Sequence, residues 1–122
     1  MTPYILAEWN GHLGGDVPIL QSQQIEHVLP DTLAQDSQWL SDWTKEQHKA
    51  CKDCIANLLP ISGSLNASIQ NADYCEKKVR YSNDSALKAP REFAKKYDIW
   101  TVKEFEARAE AIGEWALSRW NY

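Results

Sequence analysis

Glu26 and His27 stand side by side in the run IEHVLP at residues 25–30, and Asn57 and Asn66 follow it, nine positions apart. These residue types suit hydrolysis of a phosphate ester. A neutral imidazole can take a proton from water near neutral pH. A carboxylate and an amide carbonyl are hard oxygen donors, and Mg²⁺ takes a few of these while keeping several waters. A divalent cation in turn offsets charge on a scissile phosphate and its leaving oxygen. Each residue also has a plain structural use. His27 would be a satisfied histidine on a half-buried strand and Glu26 an exposed strand carboxylate. Asn57 would close an Asx turn, and Asn66 would cap a helix.

The elements that must position these groups can be read from pattern. Residues 21–28 (QSQQIEHV) read as a strand that Pro30 should end. In a strand, neighbours point to opposite faces, so Ile25 and His27 share one side and Glu26 and Val28 the other. Bringing Glu26 and His27 to one phosphate therefore requires a kink before Pro30. Residues 57–61 (NLLPI) form a short apolar run that reads as a second strand, and SGS at 62–64 as a turn. Helical spacing runs from residue 36 to about 54, where Trp39, Leu40, Trp43 and Gln47 form one stripe. Further helices are expected at 73–82 and 91–97. The longest is expected from Thr101 to about Trp120, opened by a Thr101/Glu104 capping box. Its apolar face would be Val102, Phe105, Ala109, Ile112, Ala116 and Trp120. Residues 3–9 read as the end of a helix, and the Gly-rich residues 10–18 as a loop in which His12 is exposed.

Composition narrows the function classes. The 122 residues suit one domain, and 43% hydrophobic with 25% charged residues is an ordinary globular balance. A net charge of −4 argues against indiscriminate coating of nucleic acid or anionic membrane. Residues 77–96 carry seven basic and two acidic side chains, however, so one local basic face is expected, or simply a solvated helix surface. No apolar run approaches the roughly 18 residues of a membrane span, and the N-terminus lacks the basic region of a signal peptide. Three cysteines without secretory context suit a reducing, cytoplasmic compartment. His48, Cys51, Cys54 and Cys75 invite a structural zinc site. Within a helix, positions 48, 51 and 54 drift around the axis, so we expect reduced thiols and no zinc there.

An acidic residue and His, then Asn, then a second Asn nine residues on, resembles the order of a His-Me finger (HNH) nuclease site. The resemblance is broader in the C-terminal HNH domain of GmrSD-type modification-dependent restriction enzymes. That pattern has an IEHxxP strand, a downstream Trp, a GNLtLL-like run, an LN pair, F-x-x-K-x-x-x-Y-x-x-S, and a Trp followed by an Arg-containing final helix. Here these stand as residues 25–30, Trp39, residues 56–61, Leu65-Asn66, the Tyr74/Lys77/Tyr81/Ser85 series, Trp100 and Arg108. The match spans roughly residues 3–120. It departs from the family at Ala56 in place of Gly, Leu59 in place of Thr, Pro60 inside the strand, and Tyr74 in place of Phe, none of which removes a catalytic group.

The resemblance implies an α+β fold, mostly helical, in which a ββα-metal core with a short two-stranded sheet is surrounded by helices. It implies catalytic roles for His27, Asn57 and Asn66. His27 would be the general base, and Asn57 would brace the loop and orient His27. Glu26 and Asn66 would hold one Mg²⁺ or Mn²⁺, and Lys77 or Lys78 would meet phosphate oxygens. The reaction would be metal-dependent cleavage or nicking of DNA in restriction or phage defence. The chain itself has no GxxxxGK[ST] phosphate loop. Target sensing and nucleotide hydrolysis would then belong to an N-terminal partner region, fused or separate, of a larger protein. The rival expectation is a degenerate HNH scaffold, without catalysis, that binds DNA or another partner.

Overall fold

The structure, a computed structural model, describes residues 6, 8, 9, 12 and 24–120, side chains 119 and 120 excepted. Most of the expected loop at 10–18 lies outside the described residues, as does the first part of the expected strand at 21–28. Leu6, Glu8 and Trp9 are helical, as expected for 3–9, and so is His12.

Two strands, β1 (Ile25–His27) and β2 (Leu58–Pro60), pair antiparallel with Ile25 opposite Pro60, Glu26 opposite Leu59 and His27 opposite Leu58. Around them, among the described residues, lie α1 (Trp39–Asp42), α2 (Lys45–Cys51), α3 (Gly63–Ile69), α4 (Tyr74–Asp84), α5 (Lys88–Lys96) and α6 (Val102–Trp120). The fold is α+β and mostly helical, with a small antiparallel sheet. Pro60 fits this sheet for a reason of register. The ladder is bonded where Ile61 N–H meets Gln24 O (2.8 Å) and where Val28 N–H meets Asn57 O (2.9 Å). Bonded and non-bonded pairs alternate in an antiparallel ladder, so Pro60 falls at a non-bonded position where no N–H is needed.

The helix expected across 36–54 is two helices. Trp43 adopts extended backbone (φ −129°, ψ 131°), which breaks the run. Thr44 then starts α2 with a full capping box, its hydroxyl accepting from Gln47 N–H and its own N–H donating to Gln47 Oε1. Trp39 and Trp43 are buried, but Leu40 is 52% exposed and leaves the stripe. Residues 62–64 are no free turn: Ser62 caps α3, accepting from Leu65 N–H. Asn66 therefore sits inside α3 and is not its cap. α4 and α5 run longer than the expected 73–82 and 91–97.

The core is aromatic. Phe93 lies 4.7–6.1 Å, centroid to centroid, from the rings of Tyr74, Tyr81, Tyr97 and Trp100. Each buried indole finds an acceptor. Trp39 donates to Ala72 O, Trp43 to Trp100 O and Trp100 to Asn57 Oδ1. The core face of α6 includes Phe105, Arg108 and Ile112, whereas Ala109 is exposed. The buried Arg108 guanidinium packs 5.2 Å from the Phe93 ring and donates through Nη1 to the carbonyls of Ile55, Ala56 and Leu58. Burial lowers its pKa to about 10. Arg108 thus ties α6 to the 3₁₀ turn at Ile55–Asn57 that leads into β2.

Candidate functional site at the end of the two-stranded sheet

Side chains alternate within β1, and a bend at residues 28–29 follows His27, just before Pro30. His27 points outward with 31% of its side chain exposed, whereas Glu26 points inward at 1%. Glu26 Oε2 accepts from the Tyr81 hydroxyl (2.8 Å) and lies 3.1 Å from Lys77 Nζ. Lys77, wholly buried, also donates to the His27 carbonyl at 2.7 Å. Burial raises the Glu26 carboxyl to about 7, against the opposing pull of Lys77 and Tyr81. The same burial lowers Lys77, against the pull of Glu26.

One expectation, that of Lys77, is thereby corrected. Glu26 is buried with Oε2 paired, yet it lines the same groove as His27 and Asn66, and its buried Oε1 has no hydrogen-bond partner. Lys77 is the buried partner of Oε2 and does not reach an approaching phosphate. Lys78 stays at the surface, its ammonium 2.8 Å from the exposed Asp98. Part of the rest of the expected basic face is similarly engaged. Arg80 pairs with Asp84, Arg91 donates to the carbonyls of Ser85 and Ala86, and Lys95 faces Glu92 at 3.6 Å.

His27 and Asn66 do come together. Both line a groove of about 340 Å³, with Asp31, Thr32, Gln70 and Asn71 among its other walls. Asn66 Nδ2 donates to Ile25 O at 3.1 Å, which fixes the amide against β1. Asn57 has no exposure, and its amide makes four bonds. Oδ1 accepts from Leu29 N–H (2.8 Å) and Trp100 Nε1–H (3.1 Å). Nδ2 donates to Leu29 O (2.9 Å) and Lys52 O (2.8 Å). Asn57 therefore bolts the segment after His27 to the segment after α2.

That second segment carries residues the sequence reading passed over. Asp53 Oδ1 lies 3.0 Å from His27 Nε2. Lys52 pairs closely with Asp31, and its Nζ lies 3.7 Å from Asp53 Oδ2. Its ammonium lowers the Asp31 pKa, by hydrogen bond and by charge. The cysteines at 51 and 54 drew attention to this stretch as a zinc motif, yet Asp53, between them, is the residue that reaches the histidine. A signal for Asp31 was its place directly after the proline that ends the His27 run.

Among the described residues, His27, Asp31 and Asp53 are one group of possible metal ligands whose donor atoms all lie within 4.8 Å of one another. His48 instead donates from Nε2 to Pro30 O (2.7 Å), and Cys54 Sγ to Ala50 O (3.3 Å). Cys51 is half-buried against the core, and Cys75 is exposed on α4. All three thiols are free. No helix among the described residues is long and apolar enough to cross a membrane.

No curated protein and no solved structure matches the chain. The family model for the C-terminal domain of GmrSD restriction endonucleases matches residues 2–115, nearly the whole length. The chain belongs to that family, as a nuclease domain of the restriction-endonuclease type.

Proposed function

We propose that the chain is a His-Me finger endonuclease or nickase domain that hydrolyses DNA phosphodiesters with one divalent cation. The observation that carries this is the shared groove: His27 and Asn66 open into one cavity, and buried Asn57 locks the turn behind them. His27 takes a proton from the attacking water. Asn57 holds the backbone on which the imidazole stands. The donor chemistry of the groove suits a hard cation. Glu26 and Asn66, with Asp31 in the same groove as His27, would hold Mg²⁺ or Mn²⁺. Such an ion, when bound, offsets charge on the phosphate and the leaving oxygen. We place the domain in a larger restriction or defence protein whose nucleotide-hydrolysing sensor region supplies target choice.

Supercoiled plasmid incubated with the chain and Mg²⁺ or Mn²⁺ is expected to become open-circular, leaving 5′-phosphate ends, and chelator is expected to stop it. Plasmid left intact with every divalent ion would contradict the reading. One observation favours a second reading, a non-catalytic scaffold: one oxygen of the Glu26 carboxylate is already engaged by Lys77 and Tyr81. That reading requires no divalent-ion binding, which calorimetric titration with Mn²⁺ would reveal as an absence of heat.

A further inference from the structure

We infer that Asp53 is the positioning residue of His27: it holds the imidazole in the tautomer whose Nδ1 faces the water to be deprotonated. The inference rests on the nuclease reading for its consequence, and on geometry for its content. An ionised carboxylate only accepts hydrogen bonds. Asp53 Oδ1, 3.0 Å from His27 Nε2, therefore accepts a hydrogen bond from Nε2–H. In the neutral ring the lone pair is then on Nδ1, the nitrogen that can act as base. When Nδ1 receives the water's proton, the ring becomes an imidazolium, Nε2 keeps its own proton, and the Asp53 carboxylate stays ionised beside it.

Asp53 is 70% exposed, so something besides burial must hold it. Two contacts do so. Lys52 Nζ stands 3.7 Å from Oδ2, on the side away from the oxygen that meets the imidazole, and the same ammonium pairs with Asp31. The Lys52 carbonyl, one residue before Asp53, accepts from buried Asn57 at 2.8 Å. Asn57 also clamps Leu29, two residues after His27, through both N–H and C=O. One buried amide thus fixes the spacing between the two segments that carry the acid and the imidazole. A chance surface pair would lack that buried connection.

The test combines nitrogen spectra with kinetics. Long-range ¹H–¹⁵N spectra of the uniformly labelled chain, above the imidazole titration range, report which ring nitrogen carries the proton; the His27→Ala spectrum assigns the His27 signals. We expect wild-type His27 in the Nε2–H form alone, and both tautomers in Asp53→Ala. For plasmid nicking we expect Asp53→Ala to lower kcat about ten- to a hundredfold, the usual cost of losing such an outer partner. KM should be unchanged, and Asp53→Glu should recover part of the loss. A wild-type ring carrying its proton on Nδ1, an Asp53→Ala spectrum identical to wild type, or an Asp53→Ala enzyme with undiminished kcat would overturn the assignment. If wild type itself does not nick DNA, the nuclease reading fails, and the spectra still decide whether Asp53 sets the tautomer.

Discussion

At the scale of single residues, Asn57 holds more than its position in the sequence suggests. Asn57 contacts no groove, yet its one amide satisfies four buried or half-buried partners across three segments. Truncating it leaves the Leu29 N–H and C=O, the Lys52 carbonyl and the Trp100 indole without their partner. An unsatisfied buried group costs about 1–3 kcal/mol. We expect Asn57→Ala to lower unfolding free energy by about 3 kcal/mol or more in urea titration, and to lower nicking with it. A loss below about 1 kcal/mol would show that these bonds do not hold the turn. A bracing role for Asn57 entered the sequence reading only through the family resemblance. The separation of Glu26 and His27 to opposite faces was legible from strand alternation, whereas the burial of Glu26 was not. The bend expected before Pro30 lies at residues 28–29. Asp53 was not legible: its meeting with His27 spans 26 positions of sequence and depends on how α2 ends.

At the scale of elements, capping chemistry decides where helices start, and it was only partly read. Thr101 and Glu104 were picked out, and Glu104 does accept from the Thr101 N–H at 3.0 Å. The equivalent Thr44/Gln47 box was overlooked because the apolar stripe of Trp39, Leu40 and Trp43 seemed to run through it. Three apolar residues at helical spacing outweighed a capping signature that would have divided the helix correctly. Thr44→Ala should cost about 1 kcal/mol of stability, measured by thermal unfolding. Because α2 feeds directly into the Lys52-Asp53 segment, nicking should fall with it. No change in either quantity would mean that the box does not set the entry to α2. Sheet topology was readable at the level of two short strands. Their exact extent was not, because β1 keeps only three residues and the ladder is closed by bonds from residues just outside it.

At the scale of the whole molecule, the buried Glu26–Lys77–Tyr81 group joins the sheet to α4 and takes two charges out of the surface count. Part of the apparent basic cluster at 77–96 is taken up in the same way: Lys77, Lys78, Arg80 and Arg91 are engaged in pairs or with carbonyls. Composition alone could not show this, since a count of charges says nothing of direction. The pair also gives stability a pH dependence with a definite sign. Glu26 is raised from an ordinary 4.5 to about 7, so the folded chain keeps this proton where the unfolded chain has released it. Stability from this group is full below about 4.5 and is lost as pH rises toward about 7. Wild type should therefore fall more steeply than Glu26→Gln in unfolding free energy across that window. Parallel slopes would contradict the buried, proton-retaining state of Glu26.

The groove joins these scales, since strand alternation presents His27, the Asn57 clamp fixes its turn, and the helical shell leaves its ring open beside Asn66. The most direct measurement is the single-turnover rate of plasmid nicking by His27→Ala beside wild type under the same Mg²⁺ or Mn²⁺. The side chain is partly exposed, so the variant should fold with nearly wild-type stability. Loss of a general base costs about a hundredfold or more, and we expect at least that fall in rate. Nicking by a folded His27→Ala chain at the wild-type rate would contradict the assignment of His27 as the base.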